Sequence, residues 1–576
     1  MPTTSDLISL FNEIADILEI NGEQVFRVNS YRRAARSLKD VTEPLDELAA
    51  RGGLADLPGI GKSMAAKIEE FLSTGKVATH DELRATIPSG LLKLRAIPGM
   101  GPKKIALVWK ELGVDSLDAL RAKIQSGELA KLKGMGEKSV EQIAKGIDFA
   151  EHSSDRTPLG VAWTLADEIL AVLRKVKGVR RAEAAGSLRR GCETIGDVDI
   201  LCESDDGAGV IEAFTKLPQA VRVLAAGDTK GSILVERRGG GELQVDCRVV
   251  PRESYGTALQ YFTGSKEHNV RLRELAVKKK FKLNEWGLFA GDKAVAGEKE
   301  EDVYKKLGLP WIPPELREDR GELDFDQTPR LIELSDIRGD LHMHTTASDG
   351  TMSAAEMAEA ASKRGYEYIA ITDHSRSSTI ANGLTIDRMW RQIEKIRALN
   401  KDHKTISVLI GCECDILSDG KLDYPDSLLA ACDLVVASVH VAQRQDRAKV
   451  TSRVLKAIEN PYVTILGHPT GRLINKREPM DLDMAAVVRQ AAKTQTILEI
   501  NSSWQRLDLN DLHARMARDA GVMMVINTDS HAAIQMEQMK FGVTVARRAG
   551  LEAKQVLNTL PLPSVRKRIA RKRSGE

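Results

Sequence analysis

Across the first 150 positions apolar residues recur at helical spacing, as in residues 62–72, where Met64, Ile68, Phe71 and Leu72 share one face and the lysines take the others. From about residue 158 the pattern changes. A helix to about 176 precedes short apolar or alternating runs that predict strands near 182–185, 198–202, 232–236 and 242–249. Between roughly 290 and 340 the pattern thins through Pro310-Trp-Ile-Pro-Pro314 and an acidic stretch to Asp326, so a linker is expected there. Beyond Arg338 strand alternates with helix, with strand candidates ending near His344, His374, Glu413, His440, His468, Asn501 and Asp529. Seven such units predict a parallel (β/α)7 barrel.

A chain of 576 residues accommodates three to five compact units, and 42% hydrophobic with 29% charged residues excludes global disorder. No apolar run approaches 18 residues and the start lacks the pattern of a secretory signal, so a cytoplasmic protein without a membrane partner is expected. Six cysteines without a CxxC pair point to reduced thiols. A net charge of +2 predicts no partner by itself. Charge is local: residues 566–573 carry six basic side chains in eight, read as a solvated tail able to touch polyanions.

A short pattern recurs three times, as Leu57-Pro-Gly-Ile-Gly61, Ile97-Pro-Gly-Met-Gly101 and Leu132-Lys-Gly-Met-Gly136, each before a helical stretch. Glycines at Gly59, Gly61, Gly99, Gly101, Gly134 and Gly136 let backbone N–H groups approach an anion at the positive end of a helix, which suits one phosphate of a nucleic acid per copy. These are candidate DNA-binding positions.

Further on, Gly186-Ser-Leu-Arg-Arg-Gly191 precedes Asp197 and Asp199, and Asp246 stands on a later apolar run. Asp197 and Asp199 are two apart on a predicted strand and so face one way. Three convergent carboxylates suit two magnesium (or manganese) ions, one activating a primer hydroxyl and one holding a triphosphate. Phosphoryl transfer of that kind needs positioning and charge neutralisation and no Ser-His nucleophile.

Residues 186–199, Asp246 and Tyr261-Phe-Thr-Gly-Ser-Lys-Glu-His-Asn269 resemble the palm and thumb of a family X DNA polymerase, the DNA polymerase beta-like group. The resemblance covers residues 1 to about 322. It implies a helical N-terminal domain over 1–85, a fingers-like region over 86–150, a nucleotidyltransferase palm over 151–255 and a thumb over 256–322, with a linker at 323–337. It further implies that Asp197, Asp199 and Asp246 are catalytic metal ligands and that Ser187, Arg190 and Gly196 contact the triphosphate. Tyr261 and Phe262 would flank the sugar and screen the 2′-OH, Gly264 would be a further nucleotide-binding position, and Asn269 and Arg273 would face the minor-groove side of the nascent pair. Lys67 matches the lysine that attacks the deoxyribose aldehyde at an abasic nick, with Lys62, Arg27 and Arg32 as candidates to lower its pKa. Two departures stand out: Ile195 replaces a frequent hydroxyl, and Gln244 replaces a frequent arginine beside the third aspartate.

The C-terminal region gathers six of the eleven histidines. His342, His344, His374, His440, His468 and His531, with Asp349, Glu413 and Asp529, lie at or beyond the carboxyl ends of six predicted strands, the face on which barrels build sites. Nine such ligands are enough for three ions, and their N and O donors favour zinc, manganese or iron. Cys412 and Cys414 flank Glu413 and should point away from it into the core. Arg376, Arg472 and Lys476 follow ligand-bearing strand ends and are candidates to hold phosphates.

This set is similar to the polymerase and histidinol phosphatase (PHP) domain over 338 to about 560, with 338–576 taken as the domain and its basic tail. The resemblance implies one ion on His342, His344 and Asp529, a second on Asp349, His374 and His531, and a third on His440 and His468, with Glu413 bridging. It implies Mn2+, Zn2+ or Fe2+ and phosphoester hydrolysis. The joint expectation is a monomeric gap-filling DNA polymerase taking dNTPs and gapped or nicked DNA. Its barrel would act as a 3'-5' exonuclease and abasic-site endonuclease or 3'-phosphodiesterase. A histidinol-phosphatase-like enzyme fused to an inactive nucleotidyltransferase, and a decayed DNA-end tether, stand as alternatives.

Overall fold

The computed structural model describes residues 4–574 apart from 40, 42–44, 98, 99, 138, 141, 142, 145, 146, 148–155, 238–240, 403 and 404. Gly99 therefore lies outside the described residues. Two compact units are present: residues 1–155 with 219–226 and 232–243, and residues 156–218, 227–231 and 244–576.

Among the described residues up to 147 the first unit is built of helices and turns. Helices Thr4–Asn21 and Val25–Lys39 pair, burying Leu7, Phe11, Ile14 and Leu18 against Tyr31, Ala34 and Leu38. Phe11 and Tyr31 meet edge to face at 5.6 Å. Ile68 and Phe71 of helix Lys62–Thr74 join that core, as the spacing predicts. A second core collects Leu91, Leu94, Ile105, Val108, Leu120 and Met135. Helices Lys62–Thr74 and Pro102–Leu112 begin on Gly61 and Gly101, which offer no side chain to the first N–H groups. Space around both glycines is open, and Gly59 and Gly134 adopt φ +78 and +88.

In the second unit strand Asp197–Glu203 runs parallel to Glu242–Val250 and antiparallel to Arg181–Ala184. Helix Leu159–Leu173 covers them with eight buried residues. Helices Tyr255–Thr263 and Lys266–Lys278 and the three-stranded antiparallel sheet of Lys282–Asn284, Gly287–Ala290 and Lys293–Ala296 follow. The linker expected from 290 is corrected in part: strand Lys293–Ala296 and helix Glu300–Lys306 occupy its start, and Ile312, Arg317, Leu331 and Ile332 are buried. Pro314 opens a short 3-10 turn, and Arg317 just beyond it anchors the segment through Glu300 at 2.6 Å.

Seven parallel strands form the last region in chain order: Gly339–Asp340, Tyr368–Ile371, Ser407–Asp415, Leu434–Ser438, Ile465–Leu466, Ile497–Asn501 and Met524–Asn527. A parallel bridge between Met343 and Ser530 joins the first and last, closing the barrel. Cys412 and Cys414 point into the apolar layer between strands and helices. The basic tail is also corrected. It forms helix Leu562–Ser574, with Lys572 Nζ donating to the Ile458 carbonyl at 2.9 Å and Arg573 to that of Cys432 at 2.6 Å. Val565 and Ile569 are buried, so apolar spacing inside the basic run docks it on the barrel.

Candidate active sites

In the palm the strand register sets the geometry. Asp199 and Asp246 are direct partners on neighbouring parallel strands, and Asp197 stands one pleat repeat before Asp199 on the same face. Asp197 is solvent-facing and Asp199 half-buried. Burial first, then the charges of Asp197 and Asp246, push Asp199 up to about 7. Although Asp197 reaches solvent, the surrounding protein partly desolvates its carboxyl, and this and then the Asp246 charge likewise raise it. A cluster that resists its own ionisation fits a divalent cation. Gln244 donates from Nε2 to Asp246 Oδ1 at 2.9 Å, so a neutral amide orients the third aspartate, and Lys230 Nζ lies 3.9 Å from its other oxygen.

Gly186 adopts φ +60 against Asp199, where a Cβ would overlap the carboxylate. The turn carrying Ser187 and Arg190 is thereby held beside the aspartates. Arg190 bonds the Thr263 carbonyl at 2.6 Å and Glu318 at 3.1 Å. Arg156, absent from the sequence reading, bonds Thr194 and lies with Nη1 3.0 Å from where a Gly196 side chain would begin. Tyr261 and Phe262 meet edge to face at 5.1 Å, with Arg248 over Phe262 at 4.4 Å. Asn269 is buried and turned inward, accepting from Gln260 at 2.6 Å and donating to the Tyr261 carbonyl at 2.7 Å. Arg273 Nε donates to the Asn269 carbonyl at 3.2 Å. Gly264 (φ +72) caps the helix before it and packs on the Arg190 guanidinium.

In the helical unit Lys67 lines a cavity of about 700 Å³ with Phe26, Arg27, Tyr31, Arg33, Gly59 and Gly61. Arg32 does not face it: it pairs with Asp16 at 3.0 Å and Glu19 at 2.6 Å. Helical periodicity separates neighbours by 100°, so Arg33 rather than Arg32 reaches the cavity.

The barrel brings its nine predicted ligands to one end. Three groups have ligand atoms mutually within 4.8 Å: His342, His344 and Asp529; His344, Asp349, His374 and His531; and His374, Glu413 and His440. His468 Nε2 lies 2.9 Å from Glu413 Oε1. The imidazoles stack, His344 lying 4.3 Å from His374 and 4.2 Å from His531. Nitrogens of His342, His344 and His374 and Oε2 of Glu413 are buried without a hydrogen-bond partner. Buried polar atoms seldom stay so, and atoms that converge on a common centre fit metal ions. Burial opposes charge on Glu413, yet His440, His374 and His342 outweigh it and hold the carboxylate well below its usual range. Burial, then His374, depresses His344 to about 4. Two of the candidate ligands carry backbone strain, His468 at φ 25 and Asp529 at φ 55, where only surrounding contacts keep a non-glycine residue.

Sequence reasoning missed the residues that orient this set. Glu499 Oε1 takes the His342 Nδ1 proton at 2.8 Å, and Asp415 Oδ1 that of His440 at 2.6 Å, leaving Nε2 of each for a metal. Both follow a visible signal, a carboxylate within an apolar strand. Of the candidate phosphate holders, Arg376 pairs with Asp423 at 3.0 Å. Arg472 is consumed by the Arg506 and Leu507 carbonyls and by Glu193 at 2.7 Å, and Lys476 is exposed. Arg506 instead lies at the cluster, Nε 3.8 Å from Asp529 Oδ2.

A nucleotidyltransferase-type palm with its thumb, joined to a barrel whose clustered histidines and carboxylates could hold metal ions, defines the class. Residues 2–77 match the helix-hairpin-helix domain, 91–148 the SAM-like helix-hairpin-helix tandem, 258–318 the DNA polymerase beta thumb and 340–503 the PHP domain. A DNA polymerase/3'-5' exonuclease PolX of Bacillus subtilis (strain 168) is 40% identical over 566 residues, covering 97% of this chain and 98% of that protein. DNA polymerase lambda of Rattus norvegicus is 29% identical over 332 residues, 53% of this chain and 54% of its own length. A probable phosphatase of Thermoanaerobacter sp. (strain X514) is 30% identical over 231 residues, 38% of this chain and 89% of its own length. The chain belongs to the PolX family, the family X DNA polymerases that carry a C-terminal PHP domain. No helix among the described residues is long and apolar enough to cross a membrane.

Proposed function

We propose that the chain fills short gaps in DNA from dNTPs at the palm and hydrolyses phosphodiesters at DNA 3' ends in the barrel. The observation that carries the first half is the register of Asp199 against Asp246, with Asp197 one repeat earlier beside the Gly186 turn. Bound divalent ions would neutralise the triphosphate and activate the primer hydroxyl in the palm, and in the barrel would polarise the phosphodiester and activate a water. Asp197 and Asp199 would hold the two palm ions, and Asp246, steadied by Gln244, would face the primer terminus. Ser187, Arg190, Gly196 and Arg156 orient the phosphates, while Tyr261 and Phe262 flank the sugar. Glycine-capped helices at Gly61 and Gly101, and the third glycine turn at Gly134 and Gly136, track the DNA backbone with amides rather than charge.

In the barrel the nine ligands form the cage, and Arg506 holds a phosphate oxygen at its mouth. An abasic-site endonuclease or 3'-phosphodiesterase activity there, the boundaries at 85, 150, 255, 322 and 337, and a monomeric state complete the proposal. The cavity at Lys67 supports a 5'-deoxyribose-phosphate lyase, because Arg27 and Arg33 bring cations to the same opening.

A one-nucleotide gap assay with magnesium and with manganese tests this reading. Asp197→Ala is expected to abolish extension and spare end resection, and His344→Ala to do the reverse. A protein that only shifts the DNA band, or that hydrolyses histidinol phosphate but not DNA, would contradict it.

A further inference from the structure

Five charged side chains meet where the palm, thumb and barrel join. Arg190 Nε reaches Glu318 Oε1 at 3.1 Å. The same oxygen accepts from Arg548 Nη1 at 2.9 Å, and Arg548 is the last residue of barrel helix Met539–Arg548. That Nη1 also donates to the backbone carbonyl of Arg190 at 2.8 Å. Arg548 Nη2 reaches Asp511 at 3.0 Å, which Arg320 holds at the same distance. Arg548 is 8% and Glu318 16% exposed, so these charges interact with little screening. Next in sequence, Gly191 (φ +66) lies so near Thr544 of the same helix that a Cβ would overlap its methyl group. The turn that carries Arg190 is therefore seated directly on the barrel.

Charge decides what this seat does. A lone carboxylate beside Arg190 would draw the guanidinium fork into a closed bidentate pair. Arg548 shares the same oxygen and splits that pull. Three arginines against two carboxylates leave the cluster one positive charge in excess; without Arg548 it is neutral. We propose that Arg548, a residue of the barrel, is a positioning residue for nucleotide addition in the palm: by neutralising Glu318 and holding the Arg190 backbone it keeps the Arg190 guanidinium, seated through Nη1 on the Thr263 carbonyl at 2.6 Å and through Nη2 against Cys192 Sγ at 3.8 Å, from closing on Glu318, and so leaves its remaining N–H groups to the phosphates of an incoming nucleotide. The inference rests on the reading of Arg190 as a phosphate contact. It gives the barrel a part in polymerisation that is separate from its metal cage.

Steady-state insertion of a single dNTP into gapped DNA by the full chain tests it, with hydrolysis of bis-p-nitrophenyl phosphate as the barrel control. Arg548→Gln is expected to raise the KM for dNTP about tenfold, with kcat within about twofold and barrel hydrolysis unchanged. Adding Glu318→Gln is expected to return KM to within about threefold of the starting enzyme, a rescue that lost packing would not produce. An unchanged KM in Arg548→Gln, or no rescue in the double variant, overturns the proposal while Arg190→Gln still raises KM. If Arg190→Gln leaves KM unchanged, the phosphate-contact reading itself falls. Should Arg548→Gln fail to fold, Glu318→Gln alone decides: a KM lowered about twofold supports the proposal and a raised KM overturns it.

Discussion

Replacing Glu499 by glutamine keeps the shape of a fully buried side chain and removes one acceptor oxygen. Its carboxylate takes four donors: His342 Nδ1 at 2.8 Å and Asn527 Nδ2 at 2.9 Å on Oε1, the His468 amide at 2.6 Å and Asn501 Nδ2 at 3.4 Å on Oε2. An amide NH2 in either place faces two donors. Hydrogen bonds to a charged acceptor contribute roughly 1.5–3 kcal/mol each, and the retained pair weakens, so the metal-free barrel should lose about 3 kcal/mol. For a region of this size that lowers its melting temperature by about 6–12 °C. Both His342 and His468 lose orientation, and changes of this kind cost roughly 10–100-fold in metal affinity. Calorimetry of the metal-free protein and a manganese titration read the two effects, and extension on gapped DNA serves as internal control. Equal melting temperatures and equal manganese affinity in Glu499→Gln and the starting protein would refute the assignment.

Three further outcomes follow from the same geometry. Asp199, pushed up to about 7, binds its proton more tightly folded than unfolded, so its cost to stability is absent near pH 4 and grows as pH rises through 7. A shift from 3.8 to about 7 sets an upper limit of about 4 kcal/mol, about half of that once solvent screening is counted. Asp199→Asn should therefore stabilise the metal-free protein at pH 8 but not at pH 4, while ending extension; equal melting temperatures at pH 8 would count against it. Gly186→Ala forces a Cβ into the Asp199 carboxylate at a positive φ that costs roughly 1–2 kcal/mol, so extension should fall at least about tenfold with barrel hydrolysis intact. Borohydride trapping of a 5'-incised abasic DNA should yield a covalent adduct that Lys67→Ala abolishes; an undiminished adduct would place the nucleophile elsewhere.

The candidate barrel ligands were legible because most are polar residues at or beyond the end of an apolar strand, a pattern that repeats from His342 to His531 and is read one element at a time. The palm aspartates were legible for a related reason, since alternation along one strand puts Asp197 and Asp199 on one face. Arg32 was misread because a count of cations near Lys67 ignores which face of the helix each occupies, and the tail was misread because its charge masked Val565 and Ile569.

By itself the amino-acid order determined which segments become helix or strand and which side chains can ligate, since both depend on spacing over a few residues. Only the tertiary structure decided that Glu499 orients His342 across 157 positions and that Arg548 reaches Arg190 across 358. Partners so far apart meet through chain reversal and packing, and neither periodicity nor composition encodes which distant carboxylate or guanidinium will stand 3 Å away.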